Sequence, residues 1–117
     1  MEVQVFGVQK HADVRKALRF FAERRIKTHF VDFKVRGPAL GELTRFSDRF
    51  GVHALVDHGS KRFVEMGLGP ARYGDAKWLQ TLVDEPMLLV LPLVRCGGRL
   101  SVGLDTAAWS QWVAQEP

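Results

Sequence analysis

The amino-acid sequence predicts an α/β sandwich built on a mixed four-stranded sheet, with a βαβ start, a helical middle segment and a ββα end. Three observations lead there. Two β-branched runs, MEVQVFGV and THFVDF, flank a stretch whose apolar residues repeat at helical spacing. Near the other end, LPLVRCGGRLSVGLD places two strand-like runs around Gly97-Gly98, a two-residue loop whose glycines allow the positive φ that primed hairpin turns require. Between these regions the apolar positions fall at helical rather than alternating spacing. At 117 residues with 46% hydrophobic content, the chain is expected to form a single domain over residues 1–117, with a core that needs no covalent staple.

In the first strand Val3 and Val5 alternate with polar neighbours up to Gly7. A helix follows from about Ala12 to Glu23. Val14, Leu18 and Phe21 fall at i, i+4 and i+7 with Ala17 beside them, and Asp13 in the first turn complements the helix dipole. Residues 28–33 make the second strand, and this strand–helix–strand order gives parallel pairing through a right-handed crossover. After Arg36-Gly37-Pro38, with Pro38 suited to a first helical position, Leu40, Leu43, Phe46 and Phe50 mark a second helix that Gly51 ends. VHALVDHGSKRFVEMGLG is less regular and is expected to hold one or two short helical turns. DAKWLQTLVDEP is a helix with Asp75 as its candidate cap, Trp78, Leu79, Leu82 and Val83 inward, and Pro86 beyond its end. Along the last strand Leu100, Val102 and Leu104 alternate, which predicts that their face is the buried one. Asp105 caps a final helix, TAAWSQWVAQ, whose inner stripe is Trp109, Trp112 and Val113.

Composition narrows the function classes. No apolar run approaches the roughly 18 residues a membrane span needs, and the strand-like start with Glu2 and Gln4 is unlike a secretory leader. Cys96 is the single cysteine. That excludes an internal disulfide, a Cys-x-x-Cys redox pair and a cysteine zinc knuckle within the chain, and the cytoplasm is the expected compartment. The net charge is +4, but the cations are scattered singly or in pairs. The tightest group, Arg24, Arg25 and Lys27, falls at a helix end that favours positive charge. A solvated surface is the plainer reading of this balance, and a phosphate or acidic-protein contact the alternative. There is no direct nucleic-acid motif. His11, His29, His53 and His58 show no metal-ligand spacing. Asp13 and Asp57 sit where helix starts and turns ordinarily use aspartate, so neither a metal nor a paired-carboxylate site is expected.

Three stretches carry a resemblance to a known family. F-G-V-Q-K-H-A-D-V-R-K-A-L, near the start, is similar to aromatic-Gly-x-x-x-Cys-x-x-x-(Lys/Arg)-Lys-Ala. LVDHGSKRFVEMGL is similar to Leu-x-(Asp/Asn)-x-Arg-Ser-x-x-(Phe/Tyr)-x-x-Leu-Gly-Leu. LPLVRCGGRLSVGLDTAAW is similar to Arg-Pro-(Ile/Leu)-Val-x-x-Gly-Gly-(Lys/Arg)-x-x-x-Gly-Phe-Asp-x-x-x-Trp, with the proline, the glycine pair, the Gly-x-Asp and the tryptophan in register. From about Val3 to Trp112 the chain thus resembles the arsenate reductase/Spx family. This is the glutaredoxin-like branch of the thioredoxin fold that includes the ArsC-type reductases and their YffB-like relatives.

The resemblance implies a cysteine nucleophile at the head of the first helix, whose thiolate attacks arsenate held by two or three arginines. Position by position, the nucleophile falls on His11, the arginine of the middle stretch on Gly59, and the arginine before the proline on Leu91. The basic residue after the glycine pair is kept as Arg99. The proline is kept as Pro92, which the resemblance implies to be a cis proline lining the site. Imidazole nitrogen has no redox step that matches a thiol adduct, and Cys96 sits beside the hairpin turn, where its plain reading is a half-buried strand residue. The expected function is a non-catalytic binding or regulatory member of the family with a degenerate site and no confident catalytic residue. The plain reading of His11 is a capping or surface histidine. Its functional alternative is a weak anion pocket of Lys10, His11, Arg15 and Arg99 at the helix N-terminus, with Pro92 alongside and Arg62 replacing the arginine lost at Gly59, for a phosphate or a glutathione carboxylate. No resident cofactor is expected. Glutathione enters only in the enzymatic alternative, a glutaredoxin-linked reductase of arsenate type. Resemblance to Spx, which acts on RNA polymerase rather than on arsenate, makes an acidic protein the matching partner for the binding reading. Phe63 and Trp78 would support a dimer or small-ligand module if they face solvent, although helical spacing places Trp78 in the core.

Overall fold

The computed structural model describes residues 1–116. They fall into two compact units, one of Met1–Arg36 with the segment from Leu91 onward, the other of Gly37–Val90. The first holds the sheet. Strands β1 (Glu2–Gly7), β2 (Lys27–Asp32), β3 (Leu93–Cys96) and β4 (Arg99–Val102) lie in the order β2-β1-β3-β4. β1 and β2 pair in parallel from Glu2↔Lys27 to Gly7↔Asp32. β3 runs antiparallel to β1, with Phe6↔Leu93, Val5↔Val94 and Gln4↔Arg95, and β4 antiparallel to β3. This is the mixed four-stranded, thioredoxin-like sheet expected from the sequence.

Helix α1 (Ala12–Glu23) has the bounds that its periodicity predicts. Val3 and Val5 have no exposed surface, and Gly7 lies on their side of β1. A Cβ on Gly7 would come within 2.5 Å of Val14 Cγ2, so glycine is what lets α1 lie this close to the strand. Phe20 and Phe21 of α1, 5.1 Å apart between ring centroids, each meet Trp109 of α5 (Thr106–Ala114) at 5.4 Å, a geometry that adds to the hydrophobic gain from burying the rings. α1 ends in a turn where Arg25 N–H donates to the Ala22 carbonyl and Ile26 N–H to that of Phe21. Arg25 takes φ +57° there, the left-handed position that glycine usually fills. In the β3–β4 hairpin only Gly97 enters the positive region, at φ +61°, as a type II′ turn requires.

The expected inward face of β4 is overturned. Ser101 is 1% exposed, Leu100 and Val102 are half-buried, and Leu104 is 44% exposed. Trp109 decides the matter: its indole Nε1–H donates to Ser101 Oγ at 2.8 Å, so two buried polar groups satisfy each other.

The second unit is helical, with α2 (Leu40–Phe50), α3 (Lys61–Glu65) and α4 (Asp75–Asp84), and 3₁₀ turns at Val52–Leu55 and Pro86–Leu88. Val56 bridges Leu89, Asp57 N–H donates to the Leu88 carbonyl and Val90 N–H to that of Leu55, both at 2.8 Å. Two helix starts differ from expectation. Ala39 is the residue before α2 and its N–H donates to the Glu42 carboxylate at 3.3 Å, so Pro38 precedes the helix. Gly74 precedes α4, which makes Asp75 its first residue rather than its cap. Leu43, Phe46 and Leu82 are buried as predicted, whereas Leu40 and Phe50 reach 48% and 40% exposure. Phe63 and Trp78 are both buried, which removes the exposed aromatics on which a dimer or ligand module was to rest. Among the described residues no helix is long and apolar enough to cross a membrane.

Candidate functional site

The head of α1 follows β1 after a short turn. His11 is the residue before the helix, extended at φ −75° and ψ 125°, and its N–H donates to the Val8 carbonyl. Its ring turns back on the helix: Nδ1 accepts the Asp13 N–H at 3.2 Å. This satisfies one of the donors that a helix start leaves orphaned. Accepting at Nδ1 requires a free lone pair there, which assigns the ring hydrogen to Nε2. Arg15 closes the same turn, with Nη1 donating to the Gln9 carbonyl at 3.1 Å and the Lys10 carbonyl at 2.6 Å. Arg15 therefore folds back onto the Gln9–Lys10 backbone beside His11, and the two side chains make a self-capped helix entry.

Pro92 stands at this end of the sheet, one residue before the Leu93↔Phe6 pair, and the Leu91–Pro92 peptide bond is cis. The Pro92 carbonyl accepts the Gly103 N–H at 2.8 Å. Leu91, which the resemblance aligns with an arginine, is 2% exposed.

Arg99 does not join this group. Because β3 runs antiparallel to β1, residues after Leu93 recede from the head of α1, and Cys96 lies one position beyond the Gln4↔Arg95 pair. Arg99 pairs with Cys96. The hairpin turn thus sits level with the start of β1, about 13 Å along the strand from Gly7 at ~3.3 Å per residue. A pocket containing both His11 and Arg99 is ruled out by strand direction. The surroundings of Cys96 agree, since Arg99, Glu116 and the amino terminus are the charges that act on it. Burial pushes the half-buried thiol up from its ordinary value, Arg99 opposes this and Glu116 adds to it. A thiol shifted that way holds less thiolate, the nucleophilic form.

In the other unit the turn before α3 uses its polar groups locally. Gly59 N–H donates to Asp57 Oδ1 and Phe63 N–H to Ser60 Oγ, each at 3.1 Å. Arg62 forms a fork with Glu85, Nε to Oε2 at 3.0 Å and Nη2 to Oε1 at 2.7 Å, and Glu65 lies 3.9 Å from Nη1. The hydrogen bond and charge of Glu85 raise the Arg62 pKa, and the bond from Arg62 lowers that of Glu85. The donors that would grip an oxyanion thus face a resident carboxylate. Two participants were missed in the sequence. Ser60 was legible as a helix cap in D-H-G-S-K-R-F, but Glu85, 23 positions from Arg62, left no local signal. Among the described residues no three His, Cys, Asp or Glu side chains are grouped to hold a metal ion.

Comparison with known proteins sets this geometry in context. The ArsC family model matches residues 6–112. A protein of Haemophilus influenzae described as uncharacterized is 26% identical over 104 residues, covering 88% of this chain and 91% of its own. An arsenate reductase of Neisseria meningitidis serogroup A is 26% identical over 105 residues, with 87% and 90% covered. Among solved structures, a YffB protein has a TM-score of 0.87 at 21% identity over 93% of this chain and 96% of the other. The arsenate reductase from Vibrio cholerae has 0.78 at 23% identity over 88% and 90%. These structural likenesses carry the fold. With the family model running from the last residues of β1 to within α5, the chain belongs to the ArsC family.

Proposed function

We propose that this chain is a non-catalytic binding or regulatory member of the ArsC family. One observation carries the reading: the residue at the family's nucleophile position, His11, uses its ring to cap its own helix, and the chain's single thiol is at the far end of the sheet. Thiol chemistry on arsenate needs sulfur where the helix start can stabilise the thiolate. The positions of two oxyanion-binding arginines, carried over by resemblance, hold Gly59 and the buried Leu91. Arg62, the candidate replacement, is turned to Glu85. A residual anion contact would rest on Lys10, His11 and Arg15 beside Pro92, without Arg99. By resemblance to Spx, the matching partner is a protein.

The second reading, a glutaredoxin-linked arsenate reductase, is favoured by the Neisseria relative, described as an arsenate reductase. The two separate in one assay. Stoichiometric protein with glutathione, glutaredoxin and arsenate is expected to form arsenite no faster than a protein-free control. Sustained turnover that vanishes in Cys96→Ser or His11→Ala would overturn the non-catalytic reading.

A further inference from the structure

The solvent face of α1 is unevenly charged. Lys16, Arg19 and Arg24 line a shallow groove of about 400 Å³ together with Phe20, Glu23 and Thr106, the first residue of α5. Three cations there face one carboxylate, and the cations are little compensated. Among the described residues Lys16 pairs only with Asp13, 3.8 Å away with both side chains more than a third exposed, a pair of small worth in water. The Arg19 side chain has no hydrogen bond or ion pair among the described residues. Arg24 is already oriented: its guanidinium stands 3.5 Å over the centroid of the Phe20 ring and Nη1 donates to the Phe20 carbonyl at 2.9 Å. A fixed guanidinium loses less freedom when it engages a carboxylate than a free one does.

We infer that the groove between α1 and the start of α5 is a docking surface for an acidic segment of a partner protein, with Lys16, Arg19 and Arg24 receiving aspartate or glutamate side chains. The inference gives the binding reading above a place and a partner chemistry, and rests on it only in taking the chain to work by binding. Complementary charge selects this occupant. A nucleic acid presents an unbroken row of phosphates, which Glu23 in the groove repels, and it would need an aromatic face for stacking, whereas Phe20 is 9% exposed beneath Arg24. An anionic membrane calls for apolar side chains set among the cations, and the groove offers none beyond Phe20. A partner with discrete carboxylates can match the three cations and pass Glu23. Such a contact draws much of its association rate from charge and weakens with salt.

The test is an amide chemical-shift titration of the isotope-labelled full chain with a short poly-glutamate peptide, an oligothymidine and anionic phospholipid vesicles as separate arms. The peptide is expected to shift amides from Lys16 to Arg24 and around Thr106. Its affinity should fall about fivefold or more in Lys16→Ala/Arg19→Ala and in added salt, with unfolding of the variant unchanged. Arg45→Ala/Arg72→Ala, which removes the same charge elsewhere, should leave binding as it is. Shifts scattered over cations across the surface, equal weakening by the two double variants, or a response of the groove to oligothymidine or vesicles but not to the peptide would each overturn the inference. None of these outcomes depends on arsenate turnover, so failure here is distinguishable from failure of the non-catalytic reading.

Discussion

The β3–β4 hairpin with α5 and the turn that starts α1 lie in the same unit and treat the family pattern in opposite ways. In the hairpin, the pattern's residues stand in register and build structure. Gly97 makes the turn, Asp105 Oδ1 accepts the Ala108 N–H at 3.1 Å, and Trp109 fills the core while donating to Ser101. At the head of α1 the residue that resemblance aligns with the family's nucleophile is His11, whose ring caps the helix. In the α3 segment of the other unit, Gly59 aligns by resemblance with an arginine, and Arg62 pairs with Glu85. On the proposed reading, positions that shape the fold retain the pattern, and positions aligned with arsenate-handling residues hold groups engaged in local structure. On that reading, fold and chemistry are carried by separable residues.

The largest expected effect probes the structural half of that comparison. Trp109→Ala should cost about 3–5 kcal/mol in denaturant unfolding, because it removes a fully buried indole from the Phe20–Phe21 cluster and strands the Ser101 hydroxyl. A loss under ~1 kcal/mol would break the claim that this region holds the sheet unit together. The caps come next. Asp105→Ala should cost ~1 kcal/mol, and His11→Ala somewhat less. His11→Asp should leave stability equal or raise it by up to about 1 kcal/mol, since aspartate is the better cap and suits the dipole. Destabilisation by His11→Asp would show that the ring does more than cap.

Smaller effects sharpen the contrast. Hydrogen bonding from Arg62 holds the Glu85 carboxyl below its ordinary value. Such a group stabilises the fold above its unfolded pKa, and the contribution is lost as pH falls through the folded one. The stability difference between the parent and Glu85→Gln should therefore shrink as pH drops below about 4.3. It should stay modest throughout, because the pair is partly solvent-exposed. A difference that grows on acidification would contradict the assignment. Smallest of all, burial of Cys96 predicts alkylation by iodoacetamide a few-fold slower than that of free cysteine at mildly alkaline pH. Faster alkylation would reveal an activated thiol.

Much of the fold was legible because its signals are local. The bounds of α1, the glycine turn and the Asp105 cap each lie within a few residues of what they control. β4 misled because Leu100, Val102 and Leu104 present the stronger apolar alternation, while the buried position is Ser101, and only the arrival of the Trp109 indole makes a serine the right residue there. The candidate site was less legible. His11 as a cap could be read from its place before Ala12 and Asp13. Grouping it with Arg99 could not be tested by resemblance, which matches residues to a pattern without measuring where strand direction takes them. The sequence leaves Arg62 free for an anion because its partner Glu85 is remote along the chain.

The most direct test of the central claim is the nitrogen spectrum of the His11 ring in the folded chain at neutral pH. Nδ1 should resonate as an unprotonated acceptor, with the hydrogen on Nε2 and the Asp13 amide coupled to the ring. A hydrogen on Nδ1, with the Asp13 amide indifferent to His11→Ala, would free the imidazole for other work and contradict the account.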